Sequence, residues 1–186
     1  ELNKPDYFLG VGGGSHAAVT ANIMIEFEKV ILKEKPDLLL VVGDINSTIA
    51  CALVASKLHI KIAHVESGLR SSDRKMPEEI NRILTDSISD LLFVTEESGI
   101  KNLEKEGVND DKVFLVGNVM IDSVAHYHDK FSNKEFLESN QLKEKEYILM
   151  TMHRPANVDN EASLKTIIEI LKESTKRQKV VFPIHP

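Results

Sequence analysis

The sequence predicts an α/β protein with parallel sheets. Short apolar runs, the first of which is 38–42, alternate with helix-length segments as far as residue 128. This alternation is typical of βαβ units, which join parallel strands through right-handed crossovers. A polar, charge-rich stretch at 131–146 then separates the series from one last strand–helix–strand unit. These observations together favour most of one α/β domain followed by the start of a second.

Local signals define the elements of the first series. The opening helix, 15–33, ends before Pro36. Pro77 opens another helix, because proline suits the first helical turn, and Gly107 ends a third. The strands are predicted at 38–42, 60–65, 91–94 and 112–116, and the helices between and after them at 48–58 with Ser47 as N-cap, 77–87, 96–106 and 119–128.

The region after the polar stretch predicts a strand at 147–152, a helix at 158–174 and a strand at 180–184. One βαβ unit is too small to bury a core of its own. We therefore expect an interior fragment of a longer protein. Its predicted parts are most of an N-terminal domain at 1–132, lacking its first βαβ unit, a linker at 133–146 and an incomplete C-terminal domain at 147–186.

Composition excludes several classes of function. The chain has 186 residues, a net charge of -6 and no basic run, which argues against a nucleic-acid surface. No apolar run reaches the roughly 20 residues of a membrane span, and no signal peptide is visible. The single cysteine, Cys51, fits a reducing compartment and is expected to be an inert core thiol. No Cys/His grouping has metal-ligand spacing.

Carboxylates follow two of the predicted strands. Asp44 comes after Gly43 at the end of one strand, and Glu66 ends the next, before Gly68. Ligands bind at the carboxyl ends of the strands in open parallel sheets, so both acids are candidates for proton transfer. An alternative stays open for each acid. Asp44 is then a cap of the following helix, and Glu66 is a solvated acid paired with Arg70. The neighbouring His64 is interpreted as a core histidine or as one that supports the site residues from behind.

A third group of charges opens the helix at Pro77. Glu78 and Glu79 occupy its first turn, where acids complement the helix dipole. Arg82 follows Glu78 by four residues, so a simple ion pair along the helix is one interpretation. The functional interpretation has Arg82 binding a phosphate while Glu78 faces a sugar.

Two histidines lie at predicted strand ends after the linker. His153 and Arg154 follow the strand at 147–152, and His185 follows the strand at 180–184. A His-Arg pair facing carboxylates is a candidate for holding a diphosphate. A lone histidine is more often structural, and His185 is the weaker candidate.

The ordered set of motifs closely resembles the UDP-N-acetylglucosamine 2-epimerase family, of the non-hydrolysing type. The matching segments, which run along essentially the whole chain, are Gly-Asp-Ile-Asn-Ser-Thr at 43–48, His-Val-Glu-Ser-Gly-Leu-Arg-Ser at 64–71, Met-Pro-Glu-Glu-Ile-Asn-Arg at 76–82 and His-Arg-Pro-Ala-Asn-Val-Asp at 153–159, with Gly-Gly-Gly-Ser-His-Ala at 12–17. The chain departs from the family pattern at Ser67, where alanine is commoner, and at Ala156, where glutamate is common.

The resemblance implies a glycosyltransferase-B type fold with an active site between two Rossmann-like halves. It implies interconversion of UDP-N-acetylglucosamine and UDP-N-acetylmannosamine through loss of UDP, a 2-acetamidoglucal and re-addition of UDP. The expected catalytic residues are Asp44, Glu66, Glu78 and His153, and the expected substrate-binding residues are Arg82, Arg70, Arg154 and His185. No cofactor or metal is expected.

The resemblance also implies a UDP-N-acetylhexosamine substrate, a homodimer when full length and a cytoplasmic location, with no nucleic-acid or membrane partner. The isolated fragment is expected to be inactive. Alternatives are a hydrolysing 2-epimerase that releases UDP and N-acetylmannosamine, a 2-epimerase for a diacetamido uronic acid donor, a glycosyltransferase of the same architecture and a non-catalytic nucleotide-sugar sensor.

Overall fold

A computed structural model describes residues 4–131, 134–152 and 160–183. The chain divides into two compact units, Glu1–Ser123 and Val124–Pro186. The predicted domain bounds, 1–132 and 147–186, stay a prediction. No helix of the described part is both long enough and apolar enough to cross a membrane.

The first unit is a parallel α/β sheet, as the sequence predicts. Its four strands pair in chain order, all parallel. Its elements are α1 (His16–Glu34), β1 (Leu38–Val42), α2 (Asn46–Lys57), β2 (Lys61–Ser67), α3 (Pro77–Ile88), β3 (Leu91–Val94), α4 (Glu97–Lys105), a 3₁₀ turn (Asp110–Lys112), β4 (Val113–Leu115) and the first half of α5 (Val119–Tyr127). The rest of α5 and a second 3₁₀ turn (His128–Lys130) belong to the second unit.

The core lies between the sheet and its helices. One apolar cluster joins α1, β1, α2 and β2, and its buried members are Ile31, Val41, Ala52, Val54, Ala55 and Ile62. A smaller cluster joins β3 and α4 through Leu92, Val94 and Leu103. The opposite face of β1 is exposed at Leu38, Leu40 and Val42. Since side chains alternate along a strand, β1 packs on the core through only one of its faces.

Two helix starts show what local sequence can and cannot predict. The Oγ of Ser15 accepts a hydrogen bond from the Ala18 N–H, so Ser15 caps α1. The prediction of Ser47 as the cap of α2 is wrong. The helix begins at Asn46 with Ile45 as its N-cap, because the Ile45 carbonyl already accepts from the Thr48 N–H.

Strand β2 extends past its predicted end through an irregularity. Its pairing with β3 shifts between Val65 and Ser67, so Glu66 is an extra residue in the strand. Glu66 has φ 68°, a left-handed conformation that is uncommon for residues other than glycine. The bulge therefore places a strained acidic residue at the carboxyl end of β2.

The second unit contains α6 (Lys134–Ser139), β5 (Tyr147–Leu149), α7 (Glu161–Thr175) and β6 (Lys179–Val181). The two strands pair in parallel, which is the predicted βαβ arrangement. Asn160 caps α7 by accepting from the N–H groups of Ala162 and Ser163. The short helix α6 lies within the range predicted as a polar linker.

Candidate active site

Asp44 lies in a tight turn at the carboxyl end of β1. The preceding residue, Gly43, has φ 70° and donates its N–H to the Val65 carbonyl at 3.1 Å. Ile45 occupies the N-cap position of α2 and provides no side-chain cap. The capping interpretation of Asp44 is therefore wrong, and its side chain, 30% exposed, is directed to another partner.

That partner is Arg82 of α3. The Nη2 of Arg82 donates to the Oδ2 of Asp44, and its Nη1 lies 3.1 Å from the Oε2 of Glu79. The expected helical ion pair with Glu78 is therefore wrong, since the guanidinium is used by two other carboxylates. Asn81 adds a third link, because its Nδ2 donates to the Asp44 carbonyl at 2.9 Å. These contacts fix the turn at Asp44 against the first turns of α3.

Glu79 anchors the loop that leads into α3. Its Oε2 accepts from the N–H and Oγ of Ser71 at 2.8 and 2.9 Å, and its Oε1 accepts from the Ser72 N–H at 2.9 Å. Burial acts to raise the pKa of Glu79, but these hydrogen bonds and the charge of Arg82 outweigh it and lower the pKa. Glu79 is thus a buried, ionised structural group.

Glu66 and Glu78 differ from Glu79 in having no partner in the part of the chain that the structure describes. Both are half-buried, and across residues 4–131, 134–152 and 160–183 neither carboxylate forms a hydrogen bond or an ion pair. The Oε2 of Glu66 lies 3.6 Å from the position that a Cβ on Gly43 would take. The Glu66 carboxylate is therefore next to the Asp44 turn, and Glu78 begins the helix that holds Arg82.

Arg70 is engaged away from Glu66. Its guanidinium lies 2.8 Å from the Oδ2 of Asp86, and it donates to both oxygens of Glu106 at 2.8 and 2.6 Å. Burial acts to lower its pKa, but the two carboxylates outweigh that effect and raise the pKa. The alternative that pairs Arg70 with Glu66 is wrong. The substrate-binding role of Arg70 stays a prediction, and these contacts favour a structural one.

A close glycine contact supports the segment after the bulge. A Cβ on Gly68 would lie 2.6 Å from the Gly99 carbonyl oxygen, so only glycine fits at this position. Next to it, the Ser67 side chain is fully buried, and its Oγ has no hydrogen-bond partner among the described residues. The serine hydroxyl is thus a buried polar group with no hydrogen bond to the described residues.

Sequence reasoning missed the roles of Glu79, Asn81 and Asp86. A signal was available in α3, because residues 79, 83 and 86 share one helical stripe and Ile83 marks that stripe as inward-facing. An acid on an inward stripe is expected to be paired. Asn81 carried no comparable signal, since its contact with Asp44 depends on tertiary packing.

Three predicted site residues, His153, Arg154 and His185, lie outside the described residues. Ala156, the departure from the family pattern, also lies there. Among the residues that the structure describes, no group of three or more His, Cys, Asp or Glu side chains is placed to hold a metal ion.

The described part of the site combines an orienting ion pair with open carboxylates. Arg82 and Asp44 hold each other in place, while Glu66, next to the Asp44 turn, and Glu78, in the first turn of α3, have no partner among the described residues. Carboxylates that are partly buried and unpaired are suited to accept or donate protons. The left-handed backbone at Glu66 is the kind of local strain that concentrates at functional sites.

Comparison with known proteins places the chain among nucleotide-sugar epimerases. The whole of it, residues 1–186, matches the model of the UDP-N-acetylglucosamine 2-epimerase family. It is 50% identical to a UDP-N-acetylglucosamine 2-epimerase homolog of Methanococcus maripaludis, and covers 52% of that protein with 100% of its own length. It is 47% identical to the UDP-2,3-diacetamido-2,3-dideoxy-D-glucuronate 2-epimerase of Pseudomonas aeruginosa, again over 100% of the chain and 52% of the relative.

A solved structure shows the same likeness. The chain superposes with a TM-score of 0.87 on the UDP-GlcNAc 2-epimerase of Methanocaldococcus jannaschii in complex with UDP-GlcNAc and UDP. The two are 46% identical over 100% of this chain and 52% of the other. The chain thus spans about half the length of the curated relatives it matches.

Proposed function

Because this chain belongs to the UDP-N-acetylglucosamine 2-epimerase family, we propose that the full-length protein interconverts UDP-N-acetylglucosamine and UDP-N-acetylmannosamine. The proposal applies to the full-length protein, since the chain spans about half the length of the relatives it matches. The observation that carries it is that Glu66, next to the Asp44 turn, and Glu78, in the first turn of the helix that provides Arg82, have no partner among the described residues.

The reaction requires acid–base groups on two faces of the sugar. One carboxylate removes the proton from C2 while the bond between C1 and the UDP oxygen breaks, which leaves a C1=C2 double bond in the glucal. UDP then adds back to C1 while a proton is delivered to the opposite face of C2. A single group cannot serve both faces, so several carboxylates are needed at one site.

The residues divide between proton transfer and orientation. Glu66 and Glu78 are available for proton transfer, and Asp44 is oriented by Arg82 and Asn81. We propose that His153, Arg154 and His185 stabilise the departing diphosphate, together with Arg82. That assignment rests on the resemblance of the motifs.

The test is isotope incorporation by the full-length protein in D₂O. With UDP-N-acetylglucosamine as substrate, we expect deuterium at C2 of the recovered UDP-sugar and no net accumulation of free UDP. Free UDP together with N-acetylmannosamine would indicate the hydrolysing reaction instead. Transfer to an added acceptor without exchange at C2 would indicate a glycosyltransferase, and UDP binding with none of these reactions would indicate a sensor.

A diacetamido uronic acid donor is the second candidate substrate. The 47% identity to the Pseudomonas aeruginosa enzyme that acts on such a donor is close to the 50% identity to the Methanococcus homolog. The same exchange experiment with UDP-2,3-diacetamido-2,3-dideoxy-D-glucuronate decides between them. The substrate with the higher kcat/KM for C2 exchange is the one that the protein uses.

We also propose that the full-length protein is a cytoplasmic homodimer that supplies precursors for surface polysaccharides. The single cysteine and the nucleotide-sugar substrate support an origin in a reducing compartment. Light scattering of the purified full-length protein tests the dimer, and cell fractionation tests the location.

A further inference from the structure

The buried side chain of His64 connects the two candidate catalytic segments. It lies on β2 two residues before Glu66 and has no exposed surface. Its Nε2 is 2.8 Å from the Gly43 carbonyl oxygen, and its Nδ1 is 2.6 Å from the Oδ1 of Asp86. A carbonyl oxygen can only accept, so Nε2 must carry a proton and donate it.

The acceptor of that hydrogen bond is the turn that positions Asp44. The Gly43 N–H is bound to the Val65 carbonyl at 3.1 Å, and the Gly43 carbonyl is bound to His64 at 2.8 Å. Both polar groups of the glycine are therefore held by β2. Asp44 follows directly, and Glu66 lies on the same strand as His64, so the bond from His64 fixes one carboxylate relative to the other.

The imidazole is itself held in one orientation. The Oδ2 of Asp86 accepts from the Gly68 N–H at 3.0 Å and lies 2.8 Å from Arg70, while its Oδ1 faces His64. Each oxygen of Asp86 thus has a partner, and the ring of His64 cannot rotate without breaking a buried contact. A buried polar network of this kind is rigid when all its members are satisfied.

We propose that His64 is a positioning residue for the epimerisation, which acts through the Gly43 carbonyl to set the direction of the Asp44 carboxylate. The inference rests on the proposed function. His64 does not contact substrate, because its side chain is fully buried. The competing interpretation is that His64 serves only as the partner of Asp86 and stabilises the fold.

Two substitutions separate these interpretations, because each retains one of the two hydrogen bonds. In His64→Gln the amide nitrogen reaches the position of Nε2 and still donates to the Gly43 carbonyl. In His64→Asn the shorter amide reaches the position of Nδ1 and donates to Asp86, but the Gly43 carbonyl loses its donor. Both variants are made in the full-length protein and assayed with UDP-N-acetylglucosamine.

We expect kcat for C2 exchange to fall about 100-fold in His64→Asn with KM nearly unchanged, since small misplacements of reacting groups have effects of this size. In His64→Gln we expect kcat to fall less than about tenfold, because glutamine keeps the hydrogen bond to the Gly43 carbonyl. Thermal unfolding is measured on both, because a purely structural role predicts the larger stability loss in His64→Gln.

The opposite order of turnover, or equal losses in both variants, overturns the proposal. So does a His64→Asn protein with wild-type turnover. If His64→Asn does not fold, His64→Gln decides alone: turnover within about tenfold supports positioning, and deep loss or failure to fold overturns it. The wild type, assayed in parallel, separates the proposals, because absence of C2 exchange there refutes the proposed function and the role of His64 with it.

Discussion

Two neighbouring glutamates, Glu78 and Glu79, have opposite environments in the first turn of α3. Glu79 is 2% exposed and accepts from Ser71, Ser72 and Arg82, whereas Glu78 is half-buried and has no partner among the described residues. The same contrast separates Glu66 from Asp86. The molecule thus contains saturated carboxylates, Glu79 and Asp86, and open carboxylates, Glu66 and Glu78.

The difference teaches which acids contribute to stability and which are available for chemistry. A saturated carboxylate has its oxygens bound by donors whose removal would leave buried polar groups without partners. An open carboxylate has no such bonds to lose, and its oxygens are free to exchange a proton with a ligand. Neutralising a saturated carboxylate should therefore lower the free energy of unfolding, whereas neutralising an open carboxylate should lower kcat.

The largest expected effect is on turnover when an open carboxylate becomes an amide. We expect Glu66→Gln and Glu78→Gln in the full-length protein to reduce kcat by about 10²–10⁴-fold, the usual contribution of an acid–base group. Neither amide breaks a hydrogen bond or ion pair of the described residues, so the free energy of unfolding should change by less than about 0.5 kcal/mol. C2 exchange in D₂O and thermal unfolding measure the two quantities.

The neighbouring variant Glu79→Gln is the matched control for Glu78→Gln. The contrast between open and saturated carboxylates fails if Glu78→Gln unfolds as easily as Glu79→Gln. It also fails if Glu66→Gln retains full turnover.

The second largest expected effect is a loss of stability when a saturated carboxylate is neutralised. Glu79→Gln directs an amide at the Ser71 and Ser72 donors and removes a partner of Arg82. We expect the free energy of unfolding to fall by about 2–4 kcal/mol, since buried donors lose their acceptor. Urea unfolding at neutral pH measures the loss, and an unchanged midpoint would contradict the structural role.

The stabilising effect of Glu79 should depend on pH. Its pKa in the folded chain lies below the ordinary value of 4.5, so the folded state favours the charged form. Its contribution is complete above the ordinary pKa and disappears as the pH falls through the lower folded value. The stability difference between wild type and Glu79→Gln should therefore be constant near neutral pH and shrink in acid, and a difference that grows in acid would contradict the assignment.

The smallest effect is expected at Ser67, a buried group outside both sets. Its Oγ has no described hydrogen-bond partner, so Ser67→Ala removes a buried hydroxyl that forms no bond. We expect the free energy of unfolding to stay equal or rise by about 1 kcal/mol, with turnover retained. Ser67→Thr is the contrasting variant, since an added methyl group at a fully buried position should destabilise the chain.

Most of the fold of the first unit could be predicted because its signals are local. The bare apolar run at 38–42 is a strand in the structure with the same bounds, and Pro77 occupies the first turn of α3 as expected. Local signals predicted the start of α2 less well, since Asp44, Asn46 and Ser47 each resemble a cap. The packing of Thr48 against the end of β1, through its bond to the Val42 carbonyl, selects the observed start.

The candidate site was less predictable, because its geometry depends on contacts between distant segments. The helical stripe of residues 79, 83 and 86 distinguishes Glu79 from Glu78, but the partners of Glu79 in the Ser71 loop depend on tertiary packing. The bulge at Glu66 had no sequence signal of its own, since it accompanies the approach of Gly68 to Gly99. The roles of Asp44, Glu66 and Glu78 in catalysis stay predictions until the amide variants are measured.

The left-handed backbone at Glu66 has a consequence for evolution. Glycine would adopt φ 68° without the steric cost that a glutamate incurs, about 1 kcal/mol or more, so the native residue is the less stable choice. A library selected only for thermal stability should replace Glu66 early and retain Glu79. Retention of glutamate at 66 would therefore indicate that selection for catalytic activity outweighs selection for stability at this position.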